Sequence, residues 1–145
     1  MSSLTIVRKI SARPQIVFDL LITPEGLKQW IGPDTGPVLI AESDARVGGK
    51  FRLRFRMLDG SEHEATGEYQ EIDAPRRLAY SWNWRDQAGD PPSRVAIDLR
   101  AIPEGTELTF THAQLADQKS ADSHRSGWNG ALDKLVAAAV RTSGE

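Results

Sequence analysis

The sequence predicts an α+β fold, a curved antiparallel sheet of about six to seven strands wrapped around one long C-terminal helix, with two short helices after the first strand. Three features carry that expectation. Two helix-start signals follow the first apolar segment, residues 38 to 112 alternate with a period of two between turn-forming pairs, and beyond Asp117 the apolar residues recur at helical spacing.

The elements follow in chain order. Leu4 to Ile10 reads as a strand. Pro14 suits the first turn of a helix whose apolar side is Val17, Phe18, Leu20 and Leu21. Thr23-Pro24-Glu25 is a second start: a hydroxyl cap, a proline at the first helical position and an acid at the positive end of the helix dipole, giving a short helix to about Trp30. From Val38 to His112 the punctuation is that of antiparallel strands: Gly48-Gly49, Asp59-Gly60, Asp73-Ala74-Pro75, Gly89-Asp90-Pro91-Pro92 and Glu104-Gly105. The final stripe, Trp128, Ala131, Leu132, Leu135, Val136 and Ala139, predicts a long amphipathic helix ending near Gly144. No repeat or linker divides the chain, so residues 1–145 are expected to form one domain.

Charge assigns the strand faces. In Lys50 to Met57 apolar residues fall at odd numbers and basic ones at even numbers, and Glu62, Glu64 and Glu68 continue the even set on the next strand. A two-residue Asp59-Gly60 turn would place Glu62 and Glu64 on the apolar face. A three-residue Leu58-Asp59-Gly60 loop, with Gly60 left-handed in a bulge, pairs Arg56 with Glu62 and Arg54 with Glu64 instead, and it buries no carboxylate. His63, Ala65, Gly67 and Tyr69 then share a face with Phe51, Leu53, Phe55 and Met57. The same reasoning at Glu104-Gly105 sets Leu99 against Phe110 and Ile97 near His112.

Composition bounds the function. The 18 basic and 20 acidic residues give a net charge of −2, which argues against a nucleic-acid binder dependent on bulk charge. The absence of cysteine excludes disulfides, thiolate metal sites and thiol nucleophiles, and agrees with a reducing compartment. No apolar run approaches the roughly 18 residues of a membrane span. MSSLTIVRKI has no signal-peptide pattern, so the chain reads as cytoplasmic.

The segment YSWNW puts Tyr80, Trp82 and Trp84 on one strand face in a chain with four tryptophans. Together with Tyr69, His63 and His112 they give the inner face more polar tips than a dry core accommodates, because each buried N–H or O–H needs a partner. A pocket holding water or a ligand would supply those partners. Tyr80 and Trp82 are expected nearer its wall, and Trp84 near the rim.

Five stretches, SARPQIVFDLLITPEGLKQWIGP, ARVGGKFRLRF, GEYQEIDAPRRLAYSWNW, EGTELTFTH and HRSGWNGALDKL, occur in an order that resembles the START-like, Bet v 1-like (SRPBCC) superfamily. The resemblance is to the branch related to activators of the Hsp90 ATPase (AHSA1-like), and it spans about Leu4 to Val140. It implies a helix-grip fold in which sheet and C-terminal helix enclose a deep hydrophobic cavity. Relatives of that fold carry lipids or plant hormones, cyclise polyketides, serve as ring-hydroxylase subunits or stimulate a chaperone, so the site must be argued separately.

Three functions compete. The first is binding of a small, mainly apolar molecule by Trp30, Phe55, Tyr69, Tyr80, Trp82, Trp84, Ile97, Phe110, His112 and Trp128, of which the family fold turns Phe55, Ile97 and Phe110 toward the cavity. For all of them the competing role is core packing, above all for Trp30 and Trp128 at helical spacing. The second is catalysis in the cavity, with His63 or His112, the inward histidines, as acid or base and Tyr69 or Tyr80 stabilising an enolate. No nucleophile motif, cofactor motif or metal-ligand spacing among His63, His112 and His124 supports it further. The third is protein interaction, through an acidic partner on Arg52, Arg54 and Arg56 or a homodimer on the third helix. Glu62, Glu64 and Glu68 lie opposite that stripe and make it a self-paired, solvated face without a continuous track for nucleic acid. Direct Hsp90 activation is not expected, because the domain occupies the whole chain and the activators' separate N-terminal domain has no counterpart in it.

Overall fold

The register of the first long hairpin is the one that charge demands. In the computed structural model, which describes residues 1–87 and 89–144, β3 (Lys50–Arg56) and β4 (Glu62–Asp73) pair Arg56 with Glu62, Arg54 with Glu64 and Phe55 with His63. Gly60 takes φ +91° in the three-residue loop, and the loop closes through Met57 N to Ser61 O at 2.7 Å. The basic and acidic residues cross-link on the outer face, Arg54 to Glu62 at 2.7 Å and Arg52 to Glu64 at 3.2 Å.

The remaining elements are β1 (Ser2–Ile10), α1 (Pro14–Ile22), α2 (Pro24–Trp30), β2 (Val38–Ser43), β5 (Arg77–Trp84), β6 (Ser93–Ile102), β7 (Gly105–Leu115) and α3 (Gln118–Ser143). Thr23 caps α2 by accepting from Gly26 N at 3.0 Å, and Asp117 caps α3 by accepting from Ser120 N at 2.8 Å. The strands form one antiparallel sheet in the order β1-β7-β6-β5-β4-β3-β2. This is the helix-grip arrangement: α1 and α2 carry the chain from one edge of the sheet to the other, and α3 lies in its concave face.

The hairpin between β6 and β7 differs from expectation by two residues. Leu99 pairs with Leu108, Ile97 with Phe110 and Val95 with His112. The loop is Pro103-Glu104, because proline's fixed φ suits the first corner of a tight turn and it has no N–H to give the ladder. Gly105 therefore belongs to the strand, at φ +142°, where a Cβ would strike the carbonyl of Ile10.

The core is continuous from α1 through the sheet, with Val17, Leu78, Ile97, Leu108, Leu132 and Leu135 almost wholly buried. Along α3 the buried set is Ala121, Trp128, Ala131, Leu132, Leu135, Ala138 and Ala139, while Val136 is only partly covered. The backbone of α3 packs most extensively on β1, then on α2, α1 and β7, and has no comparable contact with β3, β4 or β5. The space on that side is left to large side chains and a cavity. Among the described residues no helix is long and apolar enough to cross a membrane.

Candidate functional site

Period-two alternation turns Tyr80, Trp82 and Trp84 of β5 inward, and a glycine gives them room. The register of β4 on β5 sets Gly67 beside Trp82, and the Phe51 ring lies over Gly67 where a Cβ would collide with it. The result is a chain of ring contacts across the concave face. Phe51 meets Tyr80 at 5.0 Å, Trp82 meets Trp84 at 5.3 Å and Trp128 at 4.9 Å, and Trp128 meets Phe110 at 4.6 Å between ring centres.

Between these rings and the N-terminal half of α3 lies a cavity of about 850 Å³. Its apolar wall includes Phe55, Met57, Trp82, Trp84, Trp128 and Ala131, and its open side is bordered by His63, Arg85, Asp86, Asp117 and Lys119. Ile31, Gly32 and Pro33 close it from the loop after α2. That loop is pinned to α3, because Lys134 Nζ donates to the carbonyls of Asp34 at 2.6 Å and Ile31 at 3.0 Å. Desolvation lowers the pKa of this half-buried ammonium, with Asp34 partly opposing the shift. The Asp34 carboxylate in turn accepts from Gly36 N and Leu58 N, at 2.8 and 3.0 Å, and is held below the usual carboxylate range by those two N–H groups.

Two tryptophan–histidine pairs stand side by side in the wall. Trp128 Nε1 donates to His112 Nδ1 at 3.0 Å, so the His112 proton sits on Nε2, which donates to Ser93 Oγ at 2.7 Å; Ser93 then donates to the carbonyl of Trp82 at 3.1 Å. The imidazole is fully enclosed, and burial, with His124 nearby as a lesser cause, pushes its pKa down to about 3. Trp84 Nε1 donates to His124 Nε2 at 3.0 Å, which places the His124 proton on Nδ1 for the carbonyl of Ser120 at 2.8 Å. The two imidazoles are 4.9 Å apart, edge to face, as opposite neutral tautomers. All four of their nitrogens are engaged, so neither ring has a nitrogen free to take a proton from a substrate.

Of the ten residues read from the sequence as ligand-binding, Phe55, Trp82, Trp84 and Trp128 border the cavity. The other six lie behind its wall. Trp30 is buried under Trp128 and donates to the carbonyl of Leu20 at 2.8 Å. Tyr69 shares a hydrogen bond of 2.7 Å with Ser43, and burial raises its pKa; Tyr80 packs beyond Phe51, with burial raising its pKa further. Ile97, Phe110 and His112 are wholly enclosed in the core. The two inward histidines expected from the strands become three, because His124 faces the cavity from α3. Its spacing of four from Trp128 placed both on one helical face and was a usable signal. His63 is on the inner face but exposed at the rim, 6.2 Å from Trp84. Among the described residues no group of three His, Cys, Asp or Glu side chains could hold a metal ion.

The profile of the family described as Activator of Hsp90 ATPase homolog 1-like protein matches residues 11–139. The chain belongs to that family. Among curated proteins no sequence matches it. Solved structures similar to this Hsp90-activator-like chain include a protein of Chromobacterium violaceum, at 27% identity and a TM-score of 0.86, covering 94% of this chain and 96% of that one. The AHSA1 protein of Silicibacter pomeroyi, at 23% identity and a TM-score of 0.84, also covers 94% and 96%. An AHSA1-like protein of Aeromonas hydrophila, at 22% identity and 0.79, covers 99% and 94%. The last two likenesses bear on the fold alone.

Proposed function

We propose that the protein binds a small, mainly apolar molecule, such as an aromatic or polyketide-like compound or a lipid, in the cavity under the N-terminal half of α3. The observation that carries this reading is the wall itself: Phe55, Trp82, Trp84 and Trp128 around about 850 Å³, within the range of small-molecule sites. Flat rings set edge to face present π surfaces to an aromatic guest at little entropic cost. The engagement of every nitrogen of His112 and His124 favours binding over acid–base turnover. Binding would take place without a metal or cofactor, and with a small molecule rather than a nucleic acid as the partner. Native mass spectrometry of freshly purified protein against its denatured mass tests the reading, followed by tryptophan emission and melting temperature with fatty acids, flavonoids and aromatic polyketides. A co-purified mass excess or a saturable response is expected. No excess and no response from the whole panel would overturn it.

A further inference from the structure

Of the four indole N–H groups, three have acceptors: Trp30 has the carbonyl of Leu20, Trp84 has His124 and Trp128 has His112. The fourth has none. Among the described buried side-chain nitrogens and oxygens, Trp82 Nε1 alone lacks a hydrogen-bond partner, although Trp82 is only 3% exposed and lines the cavity. An unmet buried donor is a standing cost that natural cores rarely carry. The neighbouring ring faces of Trp84 and Trp128 offer it at most a weak π acceptor.

The surroundings define what would satisfy it. Trp82 is flanked by Phe51, Tyr80, Trp84, Trp128 and His112, with no charged side chain among them. The His112 and His124 nitrogens are already paired, and Ser93 occupies the carbonyl of Trp82. Of the carboxylates toward the mouth, Glu62 is held by Arg54 and Arg56 and Glu64 by Arg52, Arg54 and Arg85, while Asp86 and Asp117 border the open side. A hydroxyl group on the buried end of a ligand would find the Trp82 donor to accept from but no free imidazole nitrogen beside it to donate to. A carbonyl oxygen needs only the donor.

We propose that Trp82 Nε1 is the polar anchor of the cavity, and that its ligands are neutral ring compounds whose buried end carries an acceptor oxygen without a donor, as in an aryl ketone. The inference rests on the binding reading above and narrows its chemistry.

Three tricyclic probes of one shape separate the possibilities: 9-fluorenone, 9-fluorenol and fluorene, titrated by tryptophan emission into wild type and Trp82→Phe. In wild type fluorenone is expected to bind most tightly. In Trp82→Phe its affinity relative to fluorene falls by roughly threefold to tenfold, the worth of one net hydrogen bond. The comparison within each protein cancels the loss of ring area and the probes' own solubility. Wild type labelled with 15N at tryptophan gives a readout independent of how the variant folds. The indole signal of Trp82, unbonded in the free protein, moves downfield on saturation with fluorenone and holds its place with fluorene. A fluorenone preference that survives in Trp82→Phe, or saturation by fluorenone without that movement, overturns the anchor and leaves cavity binding standing. Tighter binding of fluorenol than of fluorenone overturns the ketone preference and with it the inference. Failure of all three probes to bind wild type saturably removes both readings.

Discussion

His112 illustrates how a residue type that suggests catalysis is spent on structure. The imidazole takes a proton-bearing contact from Trp128 on one nitrogen and gives one to Ser93 from the other, inside the protein. Its folded pKa of about 3 lies below the ordinary histidine value, so between those limits the unfolded chain binds a proton that the native protein refuses. The stability His112 contributes is therefore complete above about pH 6.5 and is lost as pH falls toward its folded pKa. Against His112→Gln, which does not titrate, the wild-type advantage should shrink by up to ~1.4 kcal/mol per pH unit between pH 6 and 4 in urea denaturation. A gap independent of pH would show that the ring is not held neutral. His112→Ala, by stranding Trp128 Nε1 and Ser93 Oγ in addition to leaving a void, should cost about 3–5 kcal/mol at neutral pH by the same measurement. The sequence marked His112 and Trp82 as inward, because strand parity fixes the face. It could not rank their depth, since parity does not say how far along a strand the helix crosses; that depth separates Trp82 at the wall from Tyr80 behind it.

The loop from Ile31 to Pro37 and the helix α3 act as one element at the cavity's edge. Gly130 makes this possible, since a Cβ there would run into the carbonyl of Pro33, a backbone atom that cannot swing aside. Gly130→Ala must push the loop off the helix and stretch the Lys134 bonds to Ile31 and Asp34, at a cost of about 1–3 kcal/mol although alanine is the better helix former. A melting temperature equal to or above wild type would refute this clamp. Hairpin registers show where sequence reading of elements succeeds and where it stops. On β3 and β4 a shift by one would have buried Glu62 and Glu64, so charge selected the observed pairing. On β6 and β7 the misreading was by two, which leaves every side chain on its proper face and so leaves the hydrophobic pattern unchanged. Only the conformational demand of Pro103 distinguishes the two, and it is a weaker signal than a buried carboxylate.

At the scale of the whole molecule, α3 divides the concave face into a sealed end and an open one. Its C-terminal half buries Leu132, Leu135, Ala138 and Ala139 in the common core, whereas its N-terminal half presents Ser120, Ser123, His124, Gly127 and Trp128 to the cavity. The open end exchanges packing contacts for space, and local stability follows the density of such contacts. Amide hydrogens of residues 118–128 should therefore exchange faster than those of residues 132–140 in the free protein, although both lie in one helix. A ligand that fills the cavity supplies the missing contacts to that half alone, and its saturation also stabilises the native state against global unfolding, by about 2.7 kcal/mol at a hundredfold excess over Kd. Hydrogen exchange with and without saturating 9-fluorenone should show the largest gain in protection at residues 118–128 and β5, with a smaller and uniform gain elsewhere. Protection rising equally along α3, or first at its C-terminal half, would mean that the guest does not sit between the helix and the tryptophans of β5.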